Sequence, residues 1–393
     1  MDFELTDEQH ALPEVIHELV DKECPPALVR AVVEGHDDGA SFWSTLVGNE
    51  WTGLAVAEAD GGSGASAVEL VIALEQLGRG GDPTPFLATT SQYVPMIQAS
   101  AGDDDQRHGL LQAVCDGRSG TVAFSADTVR AEPHGDGWLL HGTAPHVFDG
   151  DRADEVAVVA ATPATSSTPG GPGGLGGPGG LGVFVVASTD LITTREATFD
   201  GSLHLGSVTF DGASVGADRA LLGPDGNGID ETHVAQAGEL AVTGLSAVMV
   251  GACQRVFDLV LDHVKQRKQF GVPIGSFQAV KHMAVDVYVA IERARALCQF
   301  AALTIAEGDE RRHVAPSMAK AAAGDCQRLT AKHGIQLFGG LGFTWENDLQ
   351  LYLKRAKAGE LLLGTSKEHR ARVARSTMAD SIARARAEQE AAR

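Results

Sequence analysis

The chain has 393 residues, 44% of them hydrophobic, which is enough for two or three domains with substantial cores. Its formal net charge of −21 opposes binding to nucleic acid, because such a surface repels phosphate groups. The N-terminal segment lacks the basic start and apolar run of a signal peptide, and no apolar run approaches the roughly 20 residues that cross a bilayer. We therefore expect a globular, cytoplasmic protein with no nucleic-acid partner and no membrane insertion.

The potential metal ligands are scattered along the chain. The five cysteines form no CxxC motif, and the fourteen histidines form no HxH or HExxH motif. These are spacings with which proteins bind zinc. We predict no metal site and no disulfide framework, and we expect reduced, mostly buried thiols.

The first region, residues 1–116, has a helical pattern. The segment "LTDEQHALPEVIHELVDKE" offers Thr6 as an N-cap, and "ASAVELVIALEQLGR" places apolar residues near one helix face. The turn-rich "EADGGSG" lies between these segments and fits a loop. The sequence predicts an N-terminal helical domain.

The second region, residues 117–228, changes to short β-branched runs bounded by Gly, Asp and Pro. The runs are "GTVAFSA", "GWLLHGTAP", "DEVAVVAAT", "LGVFVVAST" and "LGSVTFDGASV". They predict a middle antiparallel β domain, as a sheet or barrel. Within it, the Gly/Pro-rich stretch 166–182 is too short for a collagen helix and cannot build a core, so we predict a flexible loop between two strands.

The third region, residues 229–393, returns to long helical patterns. Apolar residues recur at three- and four-residue steps over more than 20 residues in each of three segments, and one of these helices is predicted to begin at Ser276. The fold class that follows is an α+β multidomain chain: a helical domain, a β domain and a C-terminal four-helix bundle.

Two segments of the bundle contain residue types suited to binding a phosphate-containing ligand. In "QRKQFGVPIGSFQAVKHMAVD", Arg267 is a fixed cation whose planar donor groups suit a pyrophosphate, Phe270 is an aromatic beside a turn, and Gln278 adds an amide near a helix start. A plain connector between helices needs none of these. In "HGIQLFGGLGFTWENDLQLYL", glycines follow Gln336, and a glycine cluster lets backbone amides approach phosphate or ribose oxygens.

With these motifs the chain resembles the acyl-CoA dehydrogenase family nearly from end to end. The matching stretches are "FELTDEQ", "GLAVAEADGGSGASAVELVIALEQLGR", "LHGTAPHVFDGDRADEVAVVA", "LLGPDGNG", "RKQFGVPIGSFQ" and "QLFGGLGF". The last two are the most specific of the family's bundle motifs. The resemblance implies the acyl-CoA dehydrogenase fold.

The resemblance also implies a cofactor and a reaction. FAD lies across a subunit interface in this family, and a carboxylate removes the α-proton of an acyl-CoA while the β-hydrogen leaves as hydride to the flavin. An electron-transfer acceptor protein is implied as a further partner. The positions of this chain that match cofactor-binding residues are Arg267, Phe270, Phe277, Gln278, Gln336, Leu337, Gly339, Gly340 and Thr365.

The chain departs from the family at the catalytic base. The usual base position precedes Gly364-Thr365 and is Leu363 here, and the alternative position on an earlier bundle helix aligns to Ala241. Neither side chain accepts a proton. Two carboxylates lie near these positions: Glu239 should face about 200° away from Ala241, and Glu360 lies about 4.5 Å along the axis from Leu363. We expect both to be exposed helix carboxylates and keep Glu360 as a weak candidate.

A second departure concerns the flavin cradle in the β domain. The family's "TEPG.GSD"-like loop should follow a strand such as "GTVAFSA", but "DTVRAEPHGDGW" follows directly. The loop that would bind the isoalloxazine ring is shortened or absent. The chain therefore keeps the part of the site that it lends to a neighbour's flavin and has lost most of the part that would hold its own.

Both losses fit one kind of relative, the α2β2 acyl-CoA dehydrogenases of actinobacterial steroid and side-chain catabolism. In these, one chain carries the base and its partner completes the FAD site, and this sequence resembles the partner chain. Two alternatives stay open. One is a non-catalytic acyl-CoA-binding or structural subunit, and the other is a self-sufficient homo-oligomer that uses Glu360.

Overall fold

The computed structural model describes residues 5–163, 178–223, 229 and 231–391. They divide into two compact units. The helical unit comprises the described residues of Met1–Pro26, Ala67–Gly81 and Val242–Arg393, and the sheet unit comprises those of Ala27–Ser66 and Asp82–Ala241.

Twelve α-helices occur in the described part of the chain. They are α1 (Asp7–Glu23), α2 (Pro26–Val33), α3 (Ala40–Gly48), α4 (Ala67–Gly80), α5 (Phe86–Ala88), α6 (Val94–Ala99), α7 (Asp104–Cys115), α8 (Glu231–Gln266), α9 (Gln278–Ala306), α10 (Ala315–Phe338), α11 (Leu349–Leu361) and α12 (Ser366–Ala391). A π-helical turn, Thr89–Tyr93, joins α5 to α6. The predicted N-cap of the first helix is confirmed, because Thr6 and Gln9 form a reciprocal capping box at the start of α1.

Ten strands occur in the same residues. They are β1 (Gly120–Phe124), β2 (Val129–His134), β3 (Gly137–Phe148), β4 (Glu155–Pro163), β5 (Pro178–Ala187), β6 (Ile192–Arg195), β7 (Leu205–Val215), β8 (Ala220–Leu221), β9 (Lys268–Gln269) and β10 (Val272–Pro273). All eight strands of the main sheet lie within the predicted β domain. The predicted boundaries after residues 116 and 228 stay predictions.

The main sheet has the order β6-β7-β3-β2-β4-β5-β8, with β1 paired to β4. Most neighbours are antiparallel, as predicted, but β1 runs parallel to β4 from the pair Gly120↔Glu155 to the pair Phe124↔Val159, and β2 pairs parallel with β4 at Arg130↔Ala161. The sheet is therefore mixed. The sequence pattern did not reveal these two parallel pairs, because strand direction depends on the path of the intervening chain.

Strand β4 is buried on both faces of the sheet. Val156 and Val158 face a core shared with β3, β5 and β7, and Ala157 and Val159 face a core shared with α6 and α7. The sequence of a strand that is covered on both faces is a continuous apolar run, and "EVAVVAA" in β4 is such a run. Burial of these side chains joins the sheet to its helices in one unit.

In the helical unit, two helices approach so closely that only glycine fits. A Cβ atom at Gly251 of α8 would lie 1.9 Å from the Glu75 carbonyl oxygen of α4, and one at Gly78 of α4 would lie 2.4 Å from the Val248 carbonyl oxygen. Ion pairs add to this packing, since Arg79 of α4 lies 2.8 Å from Asp258 of α8. The α4–α8 contact thus depends on small residues on both helices.

The structure bears on two local predictions, the start of a helix at Ser276 and the loop 166–182. The helix predicted from Ser276 begins at Gln278, because the Ser276 hydroxyl donates to the Pro273 carbonyl oxygen (2.7 Å) within a 3₁₀ turn and so cannot cap the helix. Of the predicted loop 166–182, residues 166–177 lie outside the described residues. The last five residues, 178–182, belong to β5.

One described helix, Thr232–Gln266, is long and apolar enough to pass a length-and-composition test for a membrane span, contrary to the expectation that no apolar run would approach that length. In its most apolar 18-residue window, 83% of residues are buried inside the protein. Such burial is typical of a core helix of a folded domain.

The close approach of α4 and α8 gives a stability prediction. Gly251→Ala should lower the free energy of unfolding by about 3 kcal/mol, because the added methyl group overlaps backbone atoms that cannot move aside alone. The matched control is Gly238→Ala on the same helix, where a Cβ meets no atom within 4 Å, and this change should raise stability by up to about 1 kcal/mol. Urea unfolding of the two variants measures both effects, and equal values would contradict the packing argument.

Candidate functional site

The two chemistry-bearing segments meet at one end of the helical unit. The His263 ring near the end of α8 stacks on the Phe338 ring at the end of α10, with centroids 4.5 Å apart and planes at 15°. Arg267 follows one turn after His263, its amide bonded to the His263 carbonyl oxygen (2.8 Å), and Gly339 directly follows Phe338. The structure therefore brings the arginine segment and the glycine segment together. Burial, and secondly the Arg267 charge, hold the pKa of His263 below its usual value.

The arginine segment forms a small hairpin that presents aromatic rings to solvent. Strands β9 and β10 pair across Phe270 and Gly271, which both have left-handed backbones (φ 53° and 81°). This is the conformation that two-residue hairpin turns require and that side chains other than glycine seldom adopt. The Phe270 side chain is 93% exposed and meets Phe277 edge to face, with centroids 6.2 Å apart. A strained, exposed aromatic residue is a feature of binding sites.

The glycine segment leaves room for a ligand at its backbone. Gly339 has φ 63° and ψ −140°, a conformation that favours glycine, and a Cβ atom at Gly339 or Gly340 would meet no atom within 4 Å. Gln336 is exposed, whereas Leu337 is buried. Leu337 therefore faces the protein core, and any contact it makes with a ligand runs through its backbone.

Gln278 is the first residue of α9, a helix of 29 residues, and it is exposed beside Phe277. The first amide groups of a helix and its dipole favour an anion. With the Arg267 cation, the aromatic pair and the open glycine backbone, this end of the unit has the chemistry of a site for a phosphate-containing cofactor. FAD has a pyrophosphate and an adenine ring, so these residues fit its adenosine half.

Thr365 lies apart from the other eight predicted cofactor residues. It precedes α12 in a turn that packs against Lys320 near the start of α10, about 28 Å along that helix from Gly339. Its backbone N–H donates to Glu368 Oε2 (2.7 Å) and the Glu368 amide donates back to the Thr365 hydroxyl oxygen (3.4 Å), which is the pattern of a capping box. The Thr365 hydroxyl also lies 3.0 Å from Glu368 Oε2. The observed contacts give Thr365 a helix-capping role, and its cofactor role stays a prediction.

Leu363 occupies the same turn in a left-handed backbone conformation (φ 53°). Three successive carbonyl groups around it accept hydrogen bonds. Lys320 Nζ donates to the Leu362 and Gly364 oxygens (2.6 and 2.7 Å), and His369 Nε2 donates to the Leu363 oxygen (2.9 Å). The turn is rigidly held, but its leucine side chain has no proton-accepting group. The other aligned base position, Ala241, is buried in α8.

Glu360 is engaged in local contacts. Its Oε2 accepts from Lys357 Nζ (2.9 Å), and its Oε1 accepts from the Ser366 amide and hydroxyl (3.3 and 3.2 Å). Burial raises its pKa, but the bonds from Lys357 and Ser366 outweigh burial and hold the pKa below its usual range. A stabilised carboxylate of this kind is a weak base. The expectation that Glu239 and Glu360 are exposed is wrong, because Glu239 is half-buried and the Glu360 side chain is 13% exposed.

In the sheet unit, only Ser125–Thr128 separate β1 from β2. The Thr128 and Val129 amides both donate to the Ser125 carbonyl oxygen (2.9 and 2.7 Å), so the connection is a tight turn. The predicted shortening of the flavin-cradle loop agrees with this geometry. The connection therefore offers only four residues, Ser125–Thr128, that could contact the isoalloxazine half of FAD.

Sequence reasoning missed Lys320 and His369. Lys320 is fully buried, although it is the only charged residue of "SMAKAAAG", and His369 is buried with its Nδ1 3.0 Å from Ser317 Oγ. A lysine inside an apolar helical stretch was the available signal, because such a residue must find polar partners when the helix packs. Among the described residues, no group of three His, Cys, Asp or Glu side chains could hold a metal ion.

Comparison with known proteins identifies the class. The model of the acyl-CoA dehydrogenase N-terminal domain matches residues 6–118, and that of the C-terminal domain matches residues 239–378. Acyl-CoA dehydrogenase IpdE2 of Mycobacterium tuberculosis is 30% identical over 376 residues, which cover 92% of this chain and 95% of IpdE2. The chain belongs to the acyl-CoA dehydrogenase family.

Solved structures agree with this assignment. The ChsE4-ChsE5 complex from Mycobacterium tuberculosis contains a chain that matches with a TM-score of 0.82 and 26% identity, covering 96% of this chain and 99% of that one. A structure of the Tcur3481-Tcur3483 steroid ACAD matches with a TM-score of 0.79 and 27% identity, with the same coverage. The predicted fold and family are confirmed.

The buried lysine gives a prediction about pH. Burial lowers the pKa of Lys320 from 10.5 to about 8; the nearby charges of Glu360 and Glu368 oppose this effect and that of Arg372 adds to it. Above about pH 8 the folded chain has released a proton that the unfolded chain keeps up to about pH 10.5, so stability should rise with pH across this window. Below about pH 8 Lys320 is charged in both the folded and the unfolded chain, so burial of its charge lowers the free energy of unfolding by its full amount.

The comparison that isolates this group is the wild-type chain against Lys320→Met, which keeps the length of the side chain and does not titrate. The free energy of unfolding of the wild type, minus that of the variant, should increase by up to about 3 kcal/mol from pH 8 to pH 10.5. Urea unfolding at several pH values measures this difference. A difference that is constant or falls over the window would show that Lys320 does not titrate there.

Proposed function

We propose that this chain is one subunit of an FAD-dependent acyl-CoA dehydrogenase and acts in α,β-desaturation with a related chain that supplies the catalytic glutamate. The observation that carries the proposal is the contrast between two ends of α10. At one end, Arg267 and Phe270 lie exposed beside the open backbone of Gly339 and Gly340. At the other, Leu363 stands where the family has its base.

The residues of this chain would hold the adenosine half of FAD. The Arg267 guanidinium suits the pyrophosphate, because its planar donors can bind two phosphate oxygens at once. Phe270 and Phe277 offer ring faces and edges to the adenine, and Gln278 and Gln336 offer amide groups to its polar edge. When bound, FAD supplies the acceptor for the hydride that leaves the β-carbon of the acyl-CoA thioester.

Removal of the α-proton requires a base. Leu363 and Ala241 cannot accept that proton, and Glu360 is held as a stabilised carboxylate by Lys357 and Ser366. The base must therefore come from the related chain, which supports an assembly of the α2β2 type with FAD shared across the subunit interface. The heteromeric names of the ChsE4-ChsE5 and Tcur3481-Tcur3483 complexes support the same arrangement.

The substrate class follows from the relatives rather than from the site. One solved relative is described as a steroid ACAD, and this supports an acyl-CoA from steroid catabolism as the substrate. An electron-transfer protein would reoxidise the flavin, because the desaturation leaves it reduced. We place the reaction in the cytoplasm.

Two alternatives remain. Leu363 and the short β1–β2 connection also favour a non-catalytic acyl-CoA-binding or structural subunit of the same fold. A self-sufficient homo-oligomer that uses Glu360 is opposed by the contacts of that carboxylate. It predicts that Glu360→Gln abolishes turnover in the isolated chain.

The first test is the flavin content of the chain, purified alone and after co-expression with a related acyl-CoA dehydrogenase chain from the same genome. Flavin absorbance and desaturase activity should appear only in the co-purified complex. Flavin and activity in the lone chain would contradict the shared site, and absence of flavin in both preparations would favour the non-catalytic alternative.

The second test separates the role of Arg267 from general surface charge. Arg267→Ala in the complex should weaken FAD binding about tenfold or more, because it removes a charge-assisted contact to the pyrophosphate. The matched control is Arg328→Ala, an arginine of α10 whose side chain is 73% exposed, and it should leave the affinity unchanged. Titration of the apo-complex with FAD measures both constants, and equal affinities would remove Arg267 from the site.

A further inference from the structure

The turn between α11 and α12 encloses a buried positive charge. Lys320 of α10 is 0% exposed, and its ammonium group donates to the carbonyl oxygens of Leu362 and Gly364 at 2.6 and 2.7 Å. A buried ammonium must replace its lost hydration with polar partners. Here those partners are peptide carbonyl groups.

The charge is not neutralised by direct contact with a carboxylate. No carboxylate of the described residues lies within 4.0 Å of the Lys320 ammonium in an ion pair. The two nearby acids are engaged elsewhere, since Glu360 binds Lys357 and Ser366 and Glu368 binds the Thr365 amide. Carbonyl oxygens that converge on a cation in place of water are the arrangement with which backbones bind cations in channels.

The backbone of the turn explains why a donor with at least two N–H groups is needed. Leu363 and Gly364 are successive residues with left-handed backbones (φ 53° and 93°), which turn the flanking carbonyl groups toward one point. A leucine in this region is strained, and carbonyl dipoles that point at one another repel. His369 stabilises the third carbonyl, that of Leu363, but contacts neither of the other two. The conformation therefore depends on an N–H donor between the Leu362 and Gly364 oxygens.

We propose that the 362–364 turn is a binding site for a primary alkylammonium cation, and that the chain fills this site with its own Lys320. The ammonium group, rather than the bulk of the side chain, then fixes the turn and the start of α12. This inference goes beyond the proposed function and holds whether or not the chain binds FAD.

The test replaces the tethered cation with a free one. Lys320→Ala removes three methylene groups and the ammonium, which together correspond to n-propylammonium. The melting temperature of the full-length variant should fall by about 5 °C or more, because two part-buried carbonyl groups lose their donor. Millimolar n-propylammonium should restore at least half of this loss in a saturable manner.

Local measurement and matched additives identify the cause. Hydrogen exchange of the amides in residues 361–369 should speed up in Lys320→Ala and slow again with n-propylammonium. Tetramethylammonium, which has charge but no N–H donor, and n-propanol, which has the shape but only one donor for the two carbonyl oxygens, should restore neither the melting temperature nor the protection. Lys357→Ala, at a lysine whose side chain is 43% exposed, should show no response to n-propylammonium.

A second variant separates bulk from charge. Lys320→Met fills most of the same volume without an ammonium, and it should expose the turn to exchange as Lys320→Ala does. Wild-type protection in Lys320→Met, or equal rescue of Lys320→Ala by n-propanol, would overturn the proposal. If Lys320→Ala does not fold unaided, its refolding yield is compared in n-propylammonium and in tetramethylammonium: a higher yield with n-propylammonium supports the site, and equal yields overturn it.

Discussion

The packing of α10 against α8 is the constraint on which the candidate site depends. A Cβ atom at Gly334 would lie 3.0 Å from Val256 Cγ1, so the glycine lets the two helices meet closely near their C-terminal ends. About one turn further along α10 and two turns further along α8, the His263 and Phe338 rings form a stack. Because side chains in such a contact interdigitate, a change in register of one helix would separate Arg267 from the glycine segment.

The two ends of α10 differ in how their polar groups are satisfied. At the C-terminal end, Arg267, Phe270 and the glycine backbone face solvent, so they can bind a ligand without breaking internal contacts. At the N-terminal end, the carbonyl groups of the 362–364 turn, the Thr365 amide and the Glu360 carboxylate already have partners within the chain. A ligand at this second end would have to displace existing hydrogen bonds, which costs free energy. The contrast supports the proposal that the chain contributes to a cofactor site at one end of α10 only.

Site residues could be predicted from sequence when the feature that marks them lies nearby in the chain, and were missed when their contacts are with distant segments. Phe270 and Gly339 were visible in sequence because the turn residues around them, Gly271 and Gly340, indicate a change of backbone direction. The contacts of Thr365 with Glu368 were not anticipated, because a capping box looks in sequence like any Thr followed three residues later by Glu. Lys320 was missed because its partners are backbone carbonyls more than 40 residues away in the chain.

The sequence by itself determined the element types, the order of helical, β and helical regions, the family, and the absence of a proton acceptor at positions 363 and 241. These depend on residue identity and on periodicities of two or three to four residues, which a linear chain displays directly. Only the tertiary structure decided that β1 runs parallel to β4, that Thr365 lies far from Gly339, and that Lys320 holds the leucine turn. Each of these depends on contacts between distant segments, and such contacts exist only after the helices and strands have packed.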